Sequence, residues 1–121
     1  MNKLLLIVED NEDAILYFKE ALKRKNVKAL YANNGKNAVE IFDKNKDNIE
    51  LILMDVRLPD MNGYDASTEI LKIKNVPIII QTACVSNIEK EKSLSIGCVD
   101  FLTKPIGLYK LYKILDKYSL L

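Results

Sequence analysis

Apolar residues fall along the chain in two alternating rhythms. Mostly apolar runs of strand length occupy residues 3–8, 27–32, 50–55, 77–82 and 99–102, the second with only a moderate signal. Between them lie segments in which apolar positions recur at helical spacing. The first such segment opens on Asn11-Glu12-Asp13, a capping residue followed by first-turn acids. It carries Ala14, Ile15, Phe18, Ala21 and Leu22 on one face and stops at Asn26, a residue that tolerates a left-handed backbone. The second opens on Asn34-Gly35, with Ala38, Val39, Ile41 and Phe42 inward. The third spans 63–74, with Ala66, Ile70 and Ile73 inward. Ser86-Asn87-Ile88-Glu89 has the form of a capping box, so a fourth helix starts there and stops at Gly97. Its apolar face, Ile88, Leu94 and Ile96, is thin, which predicts a loosely anchored element. Leu108, Leu111, Tyr112 and Leu115 stripe the last helix.

Five strands alternating with five helices predict a doubly wound α/β domain with a parallel sheet. The run Leu51-Ile-Leu-Met54 is apolar without alternation, as expected of a central strand covered on both faces. No linker, repeat or low-complexity tract divides the 121 residues.

Bulk numbers narrow the class. Apolar residues make up 49% and charged ones 29%, as in a soluble globular protein. Eighteen basic and seventeen acidic side chains leave a net charge of +1, which gives no support to direct nucleic-acid binding or membrane contact. Cys84 and Cys98 lack metal-ligand spacing and read as reduced, partly buried thiols, pointing to a cytoplasmic location. Histidine is absent, so the chain can neither donate phosphate from an imidazole nor use one as a base.

In a parallel sheet every strand delivers its carboxyl end to one edge, where open α/β folds bind ligands. The first strand delivers Glu9 and Asp10 there, the third Asp55, the fourth Thr82, and the fifth leads to Lys104. Asp55 alone reads equally as a strand terminator or as a nucleophile. The convergence favours chemistry, because clustered acids repel one another unless a cation neutralises them. An oxygen-only donor set suits Mg²⁺, and Lys104 with the Thr82 hydroxyl would hold anionic phosphoryl oxygens.

These residues resemble the receiver domain of bacterial two-component response regulators. The matching stretches are Ile7-Val-Glu-Asp-Asn11, Met54-Asp-Val-Arg-Leu-Pro-Asp-Met-Asn-Gly63, Gln81-Thr-Ala83 and Gly97-Cys-Val-Asp-Phe-Leu-Thr-Lys-Pro105. The resemblance covers essentially the whole chain and implies one receiver domain over residues 1–121 with the chemotaxis-regulator-like, flavodoxin-like (βα)5 fold, strand order 2-1-3-4-5. It implies that Asp55 accepts a phosphoryl group from a histidine kinase or a histidine phosphotransfer domain. Mg²⁺ would be held by Asp10, Asp55, the Arg57 backbone carbonyl and Glu9, the last directly or through water. Ala83 would leave the donor room, and Pro105 would follow a cis bond that aims Lys104 inward. Thr82 and Phe101 would form the switch, acting on a face made by the fourth helix, the fifth strand and the last helix. Arg57 and Cys84 would flank the phosphoryl group and tune its hydrolysis.

The resemblance further implies a module that is not an enzyme beyond its own phosphorylation and dephosphorylation. It allows a free-standing regulator, one excised from a hybrid histidine kinase or longer regulator, or a phosphorylation-dependent dimer. Asp60 reads as a turn former. Three rival readings remain. A flavodoxin-type cofactor binder would need a phosphate-cradling loop where Glu9 and Asp10 stand, and a haloacid-dehalogenase-type hydrolase would need an aspartate where Arg57 stands. A degenerate receiver serving only as an interaction module would have lost site residues that are all present here.

Overall fold

A computed structural model describes residues 3–83 and 86–121. In chain order the elements are β1 (Leu4–Val8), α1 (Glu12–Lys23), β2 (Ala29–Ala32), α2 (Gly35–Asn45), β3 (Ile49–Asp55), α3 (Gly63–Ile73), β4 (Ile78–Thr82), α4 (Asn87–Ile96), β5 (Asp100–Thr103) and α5 (Leu108–Lys117). The five strands form one sheet in the order β2-β1-β3-β4-β5, with every adjacent pair parallel. This is the flavodoxin-like topology that the sequence implied.

Because side chains alternate across a strand, each strand feeds two cores. Leu6, Val8, Ile52, Met54, Ile78 and Ile80 face one side, where Phe42 of α2 and Ala66 and Ile70 of α3 cover them. Leu5, Ile7, Leu51, Leu53 and Ile79 face the other, under Phe18 and Leu22 of α1 and Leu111 and Leu115 of α5. Leu51, Ile52, Leu53 and Met54 are all fully buried, which is why that strand shows no polar alternation.

The helix ends follow the local chemistry. Asn11, Asn34, Asn62 and Ser86 each accept a hydrogen bond from a first-turn N–H. Gly97 ends α4 at φ 111°, and Asn26 adopts φ 57° just after α1. Outside α4, three apolar positions expected inward turn out otherwise. Ile73 ends α3 at 37% exposure, and Tyr64 and Ser67 take the buried places on that helix. Leu108, in the first turn of α5, and Val99, which precedes β5, are also exposed. Each lies at an element's end or next to one.

The expected weakness of α4 is pronounced. Ile88 is 77% and Leu94 53% exposed, and Ser93 is the helix's one buried residue. Ile96 packs against the core, and polar contacts supply the rest of the anchoring. The Tyr64 hydroxyl of α3 donates to Glu89, and the Lys92 ammonium lies 4.7 Å from the Tyr64 ring centroid. Lys90 sits 5.2 Å from the ring of Phe101 on β5. The capping box is therefore half made: Ser86 accepts the Glu89 N–H, while the Glu89 side chain goes to Tyr64.

Candidate functional site

The carboxyl edge of the sheet gathers the predicted residues. A cleft of about 360 Å³ is lined by Glu9, Asp10, Asp55, Arg57, Thr82, Ala83 and Lys104, among others. Glu9 follows β1, and its N–H donates to the Ala32 carbonyl at 2.9 Å, extending the ladder towards β2. Asp55 ends β3 paired with Gln81 of β4. Lys104 follows β5, its N–H bonded to the Thr82 carbonyl at 2.7 Å, and the Lys104–Pro105 peptide is cis.

The Lys104 ammonium lies 2.7 Å from Glu9 Oε1 and 3.0 Å from Asp55 Oδ2. The first contact is an ion pair without hydrogen-bond alignment, and the second is a hydrogen bond. Glu9 Oε2 accepts the Asn11 N–H at 3.2 Å. Glu9 and Asp55 are 1% and 5% exposed, whereas Asp10 is exposed. Burial, reinforced by the Glu9 charge and opposed by Lys104, raises the Asp55 carboxyl to about 6. Partial burial alone would depress Lys104, but its contacts with Glu9 and Asp55 outweigh this and hold the ammonium above its usual value.

Carboxylate oxygens of Glu9, Asp10 and Asp55 all lie within 4.8 Å of one another. Three acids thus face one ammonium, and the donors are all hard oxygens. That set fits a small divalent cation such as Mg²⁺ and suits zinc poorly.

The loop after Asp55 is tightly folded. The Gly63 N–H donates to the Val56 carbonyl at 2.7 Å, and Arg57 bridges Asn62. A Cβ at Gly63 would stand 2.0 Å from the Asp55 carbonyl oxygen, so only glycine fits there. Arg57 is exposed at the rim, Ala83 is exposed and Thr82 is half-buried. Phe101 is half-buried and packs against the core on the α2–α3 side. Cys84 lies outside the described residues. Cys98 is a buried free thiol, pushed up by burial and partly offset by a hydrogen bond with Ser67.

Two residues carry more than their sequence context suggested. Asp60 accepts the Gly35 and Lys36 N–H groups of α2 at 2.7 and 2.9 Å rather than merely shaping a turn. Gln81, which follows the isoleucine run of β4, is 1% exposed with its Nε2 unpartnered among the described residues. An exposed-looking Asp-Met after proline, and a lone glutamine in an isoleucine run, were the only signals available.

A parallel five-stranded sheet with an acid cluster, a hydroxyl and a lysine at its carboxyl edge defines the phosphoacceptor class of signalling domains. Residues 5–116 match the family model of the response regulator receiver domain, and the chain belongs to that family. It is 35% identical over 107 residues to the transcriptional regulatory protein CpxR of Klebsiella pneumoniae, covering 88% of this chain and 44% of that protein. It is 31% identical over 120 residues to hybrid signal transduction histidine kinase I of Dictyostelium discoideum, covering 93% of this chain and 7% of that protein. The chain therefore spans less than half the length of each. A chain in the co-crystal structure of the Saccharomyces cerevisiae phosphotransfer protein Ypd1 with the receiver domain of Ssk1 superposes with a TM-score of 0.88 at 30% identity, covering 99% of this chain and 92% of that one. No helix among the described residues is long and apolar enough to cross a membrane.

Proposed function

We propose that this domain accepts a phosphoryl group on Asp55 from the phosphohistidine of a kinase or phosphotransfer protein. The observation that carries the reading is the Glu9–Asp10–Asp55 cluster bridged by Lys104, the arrangement a dianionic ligand and its counter-cation require. An Asp55 carboxylate oxygen attacks phosphorus, and the histidine N–P bond breaks with its electron pair returning to the imidazole, which takes a proton from solvent. Lys104 turns from its carboxylate partners to the phosphoryl oxygens, and Thr82 donates its hydroxyl to them. Asp10, Asp55, the Arg57 carbonyl and Glu9, the last directly or through water, would hold Mg²⁺, which would supply charge neutralisation for the transferring group. Water later attacks phosphorus, the Asp55 O–P bond breaks, and inorganic phosphate leaves.

The new charge biases Thr82 and Phe101, and α4 responds because so little apolar surface anchors it. The output face is α4, β5 and α5. The domain works as a switch in the cytoplasm, tethered to or separate from its kinase, and does not turn over a diffusing substrate. Labelling with acetyl phosphate in the presence of Mg²⁺ tests the reading: Asp55 should be modified and Asp55→Asn should remain unlabelled. A label that survives the substitution would sink it. Amide exchange with and without a beryllofluoride mimic should change on the α4–β5–α5 face, and no change there would remove the output assignment.

A further inference from the structure

We propose that Asp60 is a positioning residue for the acceptor site, clamping the loop that carries the Arg57 carbonyl onto the first turn of α2. The inference rests on the phosphoryl-acceptor reading above. The first N–H groups of a helix have no partner within it, and a negative charge there is favoured by the helix dipole. Both α1 and α3 place acids in their own first turns, Glu12 and Asp13 in one and Asp65 in the other, whereas α2 has none. Asn34 caps α2 through the Asn37 N–H at 2.7 Å, which leaves the Gly35 and Lys36 donors for another partner. Asp60 takes both, one on each carboxylate oxygen, across 25 and 24 residues of sequence. These two backbone donors hold its carboxyl below the usual range.

Packing reinforces the clamp. A Cβ at Gly35 would stand 2.3 Å from Met61 Cγ, so the residue after Asp60 rests directly on the α2 backbone. The same loop is closed at its base by the Gly63 N–H to the Val56 carbonyl and by the Arg57–Asn62 bridge. Fixed at both base and tip, the loop has little freedom to re-aim the peptide between them, and that peptide includes the Arg57 carbonyl. A supporting group one step behind a metal ligand commonly sets metal affinity by tenfold or more. Asp60 thereby links the β2–α2 side of the molecule, which contributes no residue to the acid cluster, to the cation-binding edge.

The test compares wild type with Asp60→Ala, Asp60→Asn and Gly35→Ala, all in the full chain. In protein freed of divalent ions, amide exchange at Gly63 should be about tenfold faster in Asp60→Ala, with the amides of residues 51–54 unchanged. In acetyl phosphate labelling, the Mg²⁺ concentration giving half the maximal rate should rise about tenfold in Asp60→Ala and in Gly35→Ala. Asp60→Asn, which keeps one acceptor oxygen, should fall between. The double variant should be no worse than either single one, because both break the same contact. Unchanged Gly63 exchange, or a lowered melting temperature with an unchanged Mg²⁺ requirement, overturns the clamp and leaves the acceptor reading standing. A wild-type protein that takes no label at Asp55 overturns the acceptor reading and, with it, the role of Asp60.

Discussion

Replacing Asp55 by asparagine tests the electrostatics of the buried site with a magnitude that can be worked in advance. In the protein without divalent ions, the Asp55 carboxyl titrates near 6 against an ordinary 3.8, chiefly because it is buried and secondarily because Glu9 is charged beside it. The folded state therefore binds its proton more tightly than the unfolded state does. Between about pH 4 and pH 6 the folded protein carries the extra proton, so stability falls as pH rises through that window. Above it, both states are ionised and the buried charge remains as a standing cost. About 6 less 3.8 is roughly two pH units, each about 1.4 kcal/mol, which puts that cost near 3 kcal/mol. Asparagine keeps the shape without the charge, and Lys104 keeps Glu9 as its partner. Asp55→Asn should then be more stable than wild type by up to about 3 kcal/mol at pH 7.5, with the advantage fading towards pH 4. Urea unfolding in a chelator at pH 4, 5, 6 and 7.5 reads it. A variant less stable than wild type at pH 7.5, or an advantage that does not vary with pH, would refute the reasoning. Added Mg²⁺ should also narrow the gap, since it binds only the folded wild-type site well.

Other consequences are as direct. Gly63→Ala should cost about 3 kcal/mol, because the new methyl meets backbone rather than a movable side chain; a loss under about 1 kcal/mol by urea unfolding would show that the loop yields. Tyr64→Phe removes the donor to Glu89 and should weaken local protection of α4 by about 1.5 kcal/mol in amide exchange, with β3 unaffected. Equal changes in both elements would contradict a local latch. Arg57→Ala should shorten the lifetime of the phosphoryl group several-fold, since the exposed Arg57 lines the cleft that holds Asp55. An unchanged lifetime would assign the side chain to solvent.

The sheet was legible because nearly every strand is an apolar run, and burial on both faces leaves no other pattern at β3. The acid cluster was legible because parallel topology converts distant strand ends into neighbours. What could not be read were contacts made by exposed loops and helix flanks. Asp60 is solvent-exposed, and the lack of an acid in the first turn of α2 does not reveal that the β3–α3 loop supplies one. The half-made capping box at Ser86 had the right residues, but Glu89 found a tertiary partner in Tyr64 that local spacing cannot foresee. Ile73 obeyed the helical period and still faced out, because periodicity gives a direction and not the reach of the neighbouring element.

The sparse burial of α4 bears on how the family diversifies. Substitutions at exposed positions away from caps and buried partners usually change stability by less than about 0.5 kcal/mol. Part of α4 qualifies, with Ser93 buried, Ile96 packed on the core, and Glu89, Lys90 and Lys92 engaged in polar contacts. Ile88, Glu91, Leu94 and Ser95 can be redrawn at little thermodynamic risk. Residues 51–54, closed in on both faces, allow almost no drift. A duplicated copy of this domain could therefore change the surface of α4 long before its central strand could tolerate a single change of volume.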